Sequence, residues 1–278
     1  MEVFDFSKIK SIFLDMDGVL WNGKNPIGNT RNIFTKLEQA DIFPVFITNN
    51  STRTPESYQE KMAGFGVKIK PDQVITPAVA ASYLFKKNYS KDVRIYVFGS
   101  QALKDYLKKE CFTLSDEKAD IVLVSLDQEM TYQKVATAMH LINEGAIFYA
   151  TNRDHILASE NGWLPGGGVM VSAVETCTQK KPIVIGKPQP YMIEIAMEKF
   201  GLDKSEVVAV GDRYDTDIIG GINAGCHTVM VLSGVDTKES VSSFQKQPTL
   251  ICKDLEEFAE ILIRQKNNLD PINRTDKL

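Results

Sequence analysis

Cysteine is scarce in this sequence. Cys111, Cys177, Cys226 and Cys252 form no C-x-x-C pair and have no histidine at zinc-finger spacing. That excludes a disulfide scaffold and the common structural zinc sites, and it predicts reduced, mostly buried thiols in a cytoplasmic protein. Histidine is scarcer: His140, His155 and His227 stand too far apart to suggest shared metal ligation. No apolar run approaches the ~20 residues that span a bilayer. Met1-Glu2-Val3-Phe4-Asp5-Phe6 lacks the basic and apolar regions of a secretory signal. Basic charge is not in excess, with 32 Lys and Arg against 36 Asp and Glu and a net charge of −4. Neither nucleic acid nor a membrane is therefore expected as a partner. Two nucleotide motifs are missing as well. Gly186-Lys187 has Lys at 181 and Pro at 188, so there is no Walker loop, and Gly166 and Gly168 lead to Val171, so there is no G-x-G-x-x-G.

What is present is ordinary globular material: 43% hydrophobic and 24% charged residues over 278 positions, enough for one large domain or two modest ones. Within it, Ile12-Phe13-Leu14-Asp15-Met16-Asp17-Gly18-Val19 is the organising stretch. A short apolar run bounded by turn signals reads as a buried strand of a parallel sheet, and here it ends in two carboxylates one residue apart. Helix and strand patterns then alternate. Asn29–Ala40 predicts a helix with Ile33, Phe34 and Leu37 as its apolar stripe, and Phe43–Ile47 a strand ending in Thr48-Asn49-Asn50-Ser51-Thr52. Pro55–Gly64 predicts a helix with proline in its first turn. Val74-Ile75-Thr76-Pro77 reads as a short strand and a stop.

A second βα alternation begins near Ala78, with strands over Arg94–Phe98, Ile121–Leu126 and Ile147–Ala150. A glycine-rich loop follows over Gly162–Gly168, then a short helix over Ser172–Cys177. The first pattern resumes with the strand Val207–Val210 before Gly211-Asp212-Arg213-Tyr214-Asp215-Thr216-Asp217. The expected fold is α/β: a doubly wound parallel sheet over residues 1–77 and 183–266, an inserted α/β unit over 78–182, and a flexible tail over 267–278.

Four polar clusters each follow a strand or strand-like run: Asp15/Asp17, Thr48/Asn49/Asn50, Lys187, and Asp212/Asp217. Parallel strands bring their carboxyl ends to one edge, where the clusters can meet. Converging carboxylates repel, and a hard cation such as Mg²⁺, which prefers oxygen ligands and substrate phosphates, relieves that repulsion. One Asp is then placed to attack phosphorus and a second to move a proton to and from the leaving oxygen. Taken singly, each cluster also fits a structural role. Asp15/Asp17 suit an Asx-turn, Thr48–Asn50 a helix N-cap, Lys187 a solvated surface and Asp212 a helix cap.

Taken together and in order, the Asp15-Met16-Asp17-Gly18-Val19, Thr48-Asn49-Asn50, Gly186-Lys187-Pro188 and Gly211–Asp217 segments resemble the four motifs of the haloacid dehalogenase (HAD) superfamily. The T-N-N and G-D-R-x-x-T-D forms, and the large insert between the second and third motifs, resemble its NagD-like, 4-nitrophenylphosphatase branch. The resemblance implies a Mg²⁺-dependent phosphatase of small phosphorylated metabolites. Asp15 would be the nucleophile that becomes an aspartyl-phosphate, and Asp17 the general acid/base, with its backbone carbonyl on the metal. Asp15 and Asp212 would supply carboxylate ligands, and Asp217 would orient metal-bound waters. Gly18, Thr48, the Asn49 backbone, Asn50 and Lys187 would contact the substrate, with the insert as a cap through which such proteins often dimerise. Arg153 stands where the branch's A-T-N-P-D motif has proline, as a reach toward a second anionic group or as a plain surface charge. A phosphotransferase, a phosphomutase or a dehalogenase of the same superfamily shares much of this apparatus. A receiver-like phosphoacceptor module would share the Asp, Thr and Lys but not the insert.

Overall fold

The computed structural model describes residues 3–159, 162–241, 245–267 and 272–273. The chain divides into two compact units: Met1–Ile47, Gln59–Val74 and Ile193–Leu278 form the first, Thr48–Tyr58 and Ile75–Met192 the second.

The first unit is built on a six-stranded sheet in the order Leu250–Cys252, His227–Val231, Val207–Gly211, Ser11–Leu14, Phe43–Ile47, Val74–Ile75. From Leu250–Cys252 across to Phe43–Ile47 every pairing is parallel. Ser11–Leu14 and Val207–Gly211 are the central pair and are buried at every position, as a strand covered on both faces must be. In order of sequence the strands run 6-5-4-1-2-3, so the winding reverses between Ser11–Leu14 and Val207–Gly211. Helices pack against the sheet. Thr30–Gln39 buries Ile33, Phe34 and Leu37, and Leu255–Lys266 buries Phe258, Ala259, Ile261 and Leu262.

The second unit carries a five-stranded parallel sheet, Ile183–Val184, Ile147–Ala150, Ile121–Val124, Arg94–Phe98, Thr113–Leu114. One core cluster joins Tyr96, Phe98, Val122, Val124 and Phe148 of its strands to Ala138, Leu141 and Ile142 of the helix Tyr132–Asn143. Met170, Val171 and Val174 of the helix Gly167–Thr178 complete it.

The α/β class, with parallel sheets and crossover helices, is as expected. Several local readings are corrected. The strand Val74–Ile75 does end at Thr76-Pro77 as expected, but the pair also opens the next element: Thr76 caps the helix Pro77–Asn88, with Pro77 in its first turn. The stretch 162–168 is not simply a loop, because Gly162–Pro165 pairs antiparallel with Ile156–Ser159. The helix placed over Ser172–Cys177 runs Gly167–Thr178. The thiols are not mostly buried: Cys111 and Cys177 are exposed, Cys226 is half-buried and Cys252 buried. Of the expected tail, Ile272–Asn273 pairs antiparallel with Val3–Phe4, while 268–271 and 274–278 lie outside the described residues.

Candidate active site

Asp15 directly follows the strand Ser11–Leu14, and Asp212 directly follows Val207–Gly211. These are the two strands that flank the winding reversal, the place where open α/β sheets bind ligands beyond their carboxyl ends. The ladder continues one step past the strand, with the Asp15 amide donating to the Val210 carbonyl at 2.9 Å. Behind Asp212 the chain makes a π-helical turn over Tyr214–Ile218, a geometry common at functional sites, and this turn presents Asp217. Carboxylate oxygens of Asp15, Asp212 and Asp217 all lie within 4.8 Å of one another. Asp212 and Asp217 are buried and Asp15 half-buried.

Small residues make this convergence fit. Gly18 holds φ = +84°, and a Cβ there would lie 2.3 Å from Asp212 Oδ2. A Cβ on Gly234 would lie 1.9 Å from the same oxygen, and one on Gly211 2.1 Å from Asp217 Cβ. Backbone amides fix the carboxylates in turn. Val235 N–H donates to Asp212 Oδ2 at 2.8 Å, and Arg213 N–H to Asp217 Oδ2 at 3.1 Å. Three oxygen donors gathered in a largely buried, glycine-cleared space fit a hard divalent cation of the Mg²⁺ kind.

Asp17 takes a separate position. Its side chain is exposed and accepts the Trp21 indole N–H at 2.8 Å. The Gly18 carbonyl accepts from Ser233 Oγ at 2.7 Å, and the Gly18 amide donates to the Trp21 carbonyl at 2.8 Å. The loop Ser233–Asp236 was not singled out in the sequence. It braces Gly18 through Ser233, Asp212 through Val235 and the Asp236 amide (3.2 Å), and the π-turn through Asp236, whose carboxylate accepts the Tyr214 N–H at 2.7 Å. A signal was present: Ser-Gly at a strand end, followed by Asp, is a turn with donors to spare.

In the second unit, Thr48, Asn49 and Lys187 are all buried, and Asn50 is half-buried. Thr48 Oγ1 accepts the Asn50 N–H at 3.1 Å, and Asn50 Oδ1 accepts the Thr52 amide and hydroxyl at 2.9 and 2.7 Å. Lys187 is only 4% exposed, so the solvated-surface reading of it fails. Its amide donates to Asn49 Oδ1 and its carbonyl accepts from Asn49 Nδ2, both at 2.9 Å. Arg153 does not present a free guanidinium: both of its terminal nitrogens donate to the Glu175 carboxylate, Nη2 at 2.7 Å.

Residues 12–113 match the family model described as haloacid dehalogenase-like hydrolase, and residues 184–258 match a second, HAD-hydrolase-like model. The acid sugar phosphatase of Staphylococcus haemolyticus is 38% identical over 248 residues, 88% of this chain and 94% of the relative. The crystal structure of 4-nitrophenylphosphatase from Thermotoga maritima superposes with a TM-score of 0.87 at 30% identity, covering 92% of this chain and 98% of that one. NagD from Escherichia coli K-12 gives a TM-score of 0.83 at 28% identity, covering 90% and 98%. Among the described residues no helix is long and apolar enough to cross a membrane. The chain belongs to the haloacid dehalogenase-like hydrolases, in their NagD-like, 4-nitrophenylphosphatase branch, and is an enzyme of the phosphoric monoester hydrolase class.

Proposed function

We propose that this enzyme is a Mg²⁺-dependent phosphatase that cleaves small phosphorylated metabolites through an aspartyl-phosphate. The observation that carries the reading is the Asp15, Asp212 and Asp217 carboxylate trio at the winding reversal of the first sheet. Bound Mg²⁺ would be held by Asp15, Asp212 and the Asp17 carbonyl, with Asp217 beside it, and would supply charge compensation for the phosphoryl oxygens. Everything else falls to the chain's own groups. An Asp15 carboxylate oxygen attacks phosphorus; the O–P bond to Asp15 forms as the ester P–O bond breaks. Asp17 gives its proton to the departing alkoxide. Asp17, now a carboxylate, then takes a proton from water, whose oxygen attacks the same phosphorus and releases inorganic phosphate and free Asp15. Lys187, Thr48 and the Asn49 amide would compensate the phosphate's charge, with Gly18 and Asn50 as further substrate contacts. The acid sugar phosphatases among the relatives make phosphorylated sugars the first class to test.

Steady-state assays with 4-nitrophenyl phosphate, then a panel of phosphorylated metabolites read by free phosphate, test the reading. Continuous turnover is expected, lost in excess EDTA and restored by Mg²⁺. Asp15→Asn is expected to abolish turnover while the protein stays folded and still binds inorganic phosphate in the presence of Mg²⁺. Full activity in that variant removes the nucleophile assignment. A single stoichiometric label without turnover favours a phosphoacceptor, and transfer to a second hydroxyl favours a phosphotransferase.

A further inference from the structure

The second sheet has a winding reversal of its own. In order of sequence its strands run 5-4-3-1-2, and the reversal falls between Arg94–Phe98 and Ile121–Val124. Residues just beyond the carboxyl ends of three of its strands all grip one short segment, Asn49–Ser51. Ser100 Oγ donates to the Ser51 carbonyl at 3.1 Å, Ser125 Oγ to Ser51 Oγ at 2.7 Å, and Thr151 Oγ1 to Ser125 Oγ at 3.0 Å. Asn152 Nδ2 donates to the Asn49 carbonyl at 2.8 Å, and Asn152 Oδ1 accepts the Asp154 N–H at 3.1 Å. This hydroxyl and amide edge is part of no step in the chemistry above, and Asn152 and Asp154 have no role there.

The Asn49 side chain converts the grip into orientation. Its Oδ1 accepts the Lys187 N–H, while its Nδ2 donates to the Lys187 carbonyl and, at 3.2 Å, to Asp154 Oδ1. An amide turned over would set NH₂ against the Lys187 N–H and oxygen against two acceptors, so these partners fix the rotamer. Both backbone groups of Lys187 are thereby tied to one planar amide, as in a strand pairing. Gly186 completes the fit: its amide donates to the Thr151 carbonyl at 2.8 Å, and a Cβ there would lie 2.4 Å from that oxygen and 2.6 Å from Asn49 Oδ1.

We propose that Asn152 and Asp154 are positioning residues for Lys187, acting through the Asn49 side chain. The Thr151-Asn152-Arg153-Asp154 segment then serves to aim the phosphate-binding lysine rather than to select the organic part of the substrate. Arg153, engaged by Glu175, plays no part in the grip. This inference rests on the reading of Lys187 as a phosphate ligand.

A double-mutant cycle tests it. Wild type, Asn152→Ala, Lys187→Met and the double variant are compared for inorganic-phosphate affinity by calorimetry in saturating Mg²⁺, for kcat and KM with 4-nitrophenyl phosphate, and for Tm. Misplacing a charged ligand by a fraction of an ångström is expected to weaken phosphate binding by roughly 10-fold in Asn152→Ala. In the Lys187→Met background the same substitution should change phosphate affinity less than about twofold, because the group it aims is gone. An equal loss in both backgrounds, or no loss in either, would overturn the inference and leave the phosphatase reading standing. Unaltered phosphate affinity in Lys187→Met alone would overturn the reading of Lys187, and this inference with it. Should Asn152→Ala fail to fold, the isosteric Asn152→Asp replaces it, turning an oxygen rather than NH₂ toward the Asn49 carbonyl, with the same outcomes. Asn49→Asp, which keeps the acceptor for the Lys187 N–H but loses both donated bonds, should show the same dependence on Lys187.

Discussion

Gly234 shows how tightly single residues are constrained around Asp212. Its backbone carries no positive φ, so the demand for glycine there is purely one of space. A Cβ 1.9 Å from Asp212 Oδ2 cannot coexist with that carboxylate where it stands, so the carboxylate or the loop must shift. Gly234→Ala is therefore expected to raise the Mg²⁺ concentration needed for half-maximal activity by about 10-fold or more, as misaligned metal-site support does elsewhere. A Mg²⁺ titration of activity checks it; an unchanged midpoint would show that the loop can retreat without loss. Cysteine reactivity is decided at the same scale. Burial pushes the Cys226 thiol up to about 12, and its sulfur lies 3.9 Å from Met197 Sδ. A raised folded-state pKa stabilises the protein below the unfolded thiol value and is lost as pH climbs through about 9 to 12. At pH 8.5 limiting iodoacetamide should label the exposed Cys111 and Cys177 and spare Cys226, which peptide mass spectrometry resolves.

Elements were legible where apolar period and cap chemistry agreed. Phe43–Ile47, Arg94–Phe98, Ile147–Ala150 and Pro55–Gly64 fall where the sequence placed them. They failed where glycine carries two meanings. Gly167 and Gly168 open a helix although glycine favours loops, because the packing leaves no room for side chains. A Cβ on Gly168 would lie 2.6 Å from the Arg153 carbonyl, and one on Gly167 3.0 Å from Asn152 Oδ1. Thr76-Pro77 marks two events at once, ending the strand Val74–Ile75 and opening the helix Pro77–Asn88, with the Thr76 side chain accepting the Val79 N–H at 3.3 Å. The trio Asp15, Asp212 and Asp217 was legible as residues, but not the turn that brings the third to the other two. Strand ends announced Asp15 and the Asp212/Asp217 cluster, but the π-turn that delivers Asp217 has no sequence period of its own. The Thr76 cap gives a measurable consequence. Thr76→Ala is expected to cost ~1 kcal/mol of stability, seen as a lower Tm or denaturant midpoint, with kcat unaltered. A loss below a few tenths of a kcal/mol would mean that Pro77 alone sets the helix start.

At the scale of the whole molecule, the acidic trio opposes folding until something neutralises it. Two unit charges 4.8 Å apart repel by roughly 3.5 kcal/mol at an effective dielectric near 20, and three such pairs meet here. A cation bound only by the folded state lowers its free energy by about 2.7 kcal/mol at a hundredfold excess over Kd. Stability and function are thus in tension at one spot. Asp217→Asn keeps an oxygen for the Arg213 N–H but removes one charge from the trio. Measured by calorimetric scanning in EDTA, this variant should melt above the wild type, because two of the three repulsive pairs vanish. In saturating Mg²⁺ the order should reverse or close, since the wild type gains more from the ion than the variant does. The opposite pattern, a variant less stable in EDTA with an undiminished Mg²⁺ shift, would mean that Asp217 serves the fold as an ordinary turn carboxylate and contributes no charge to the metal site.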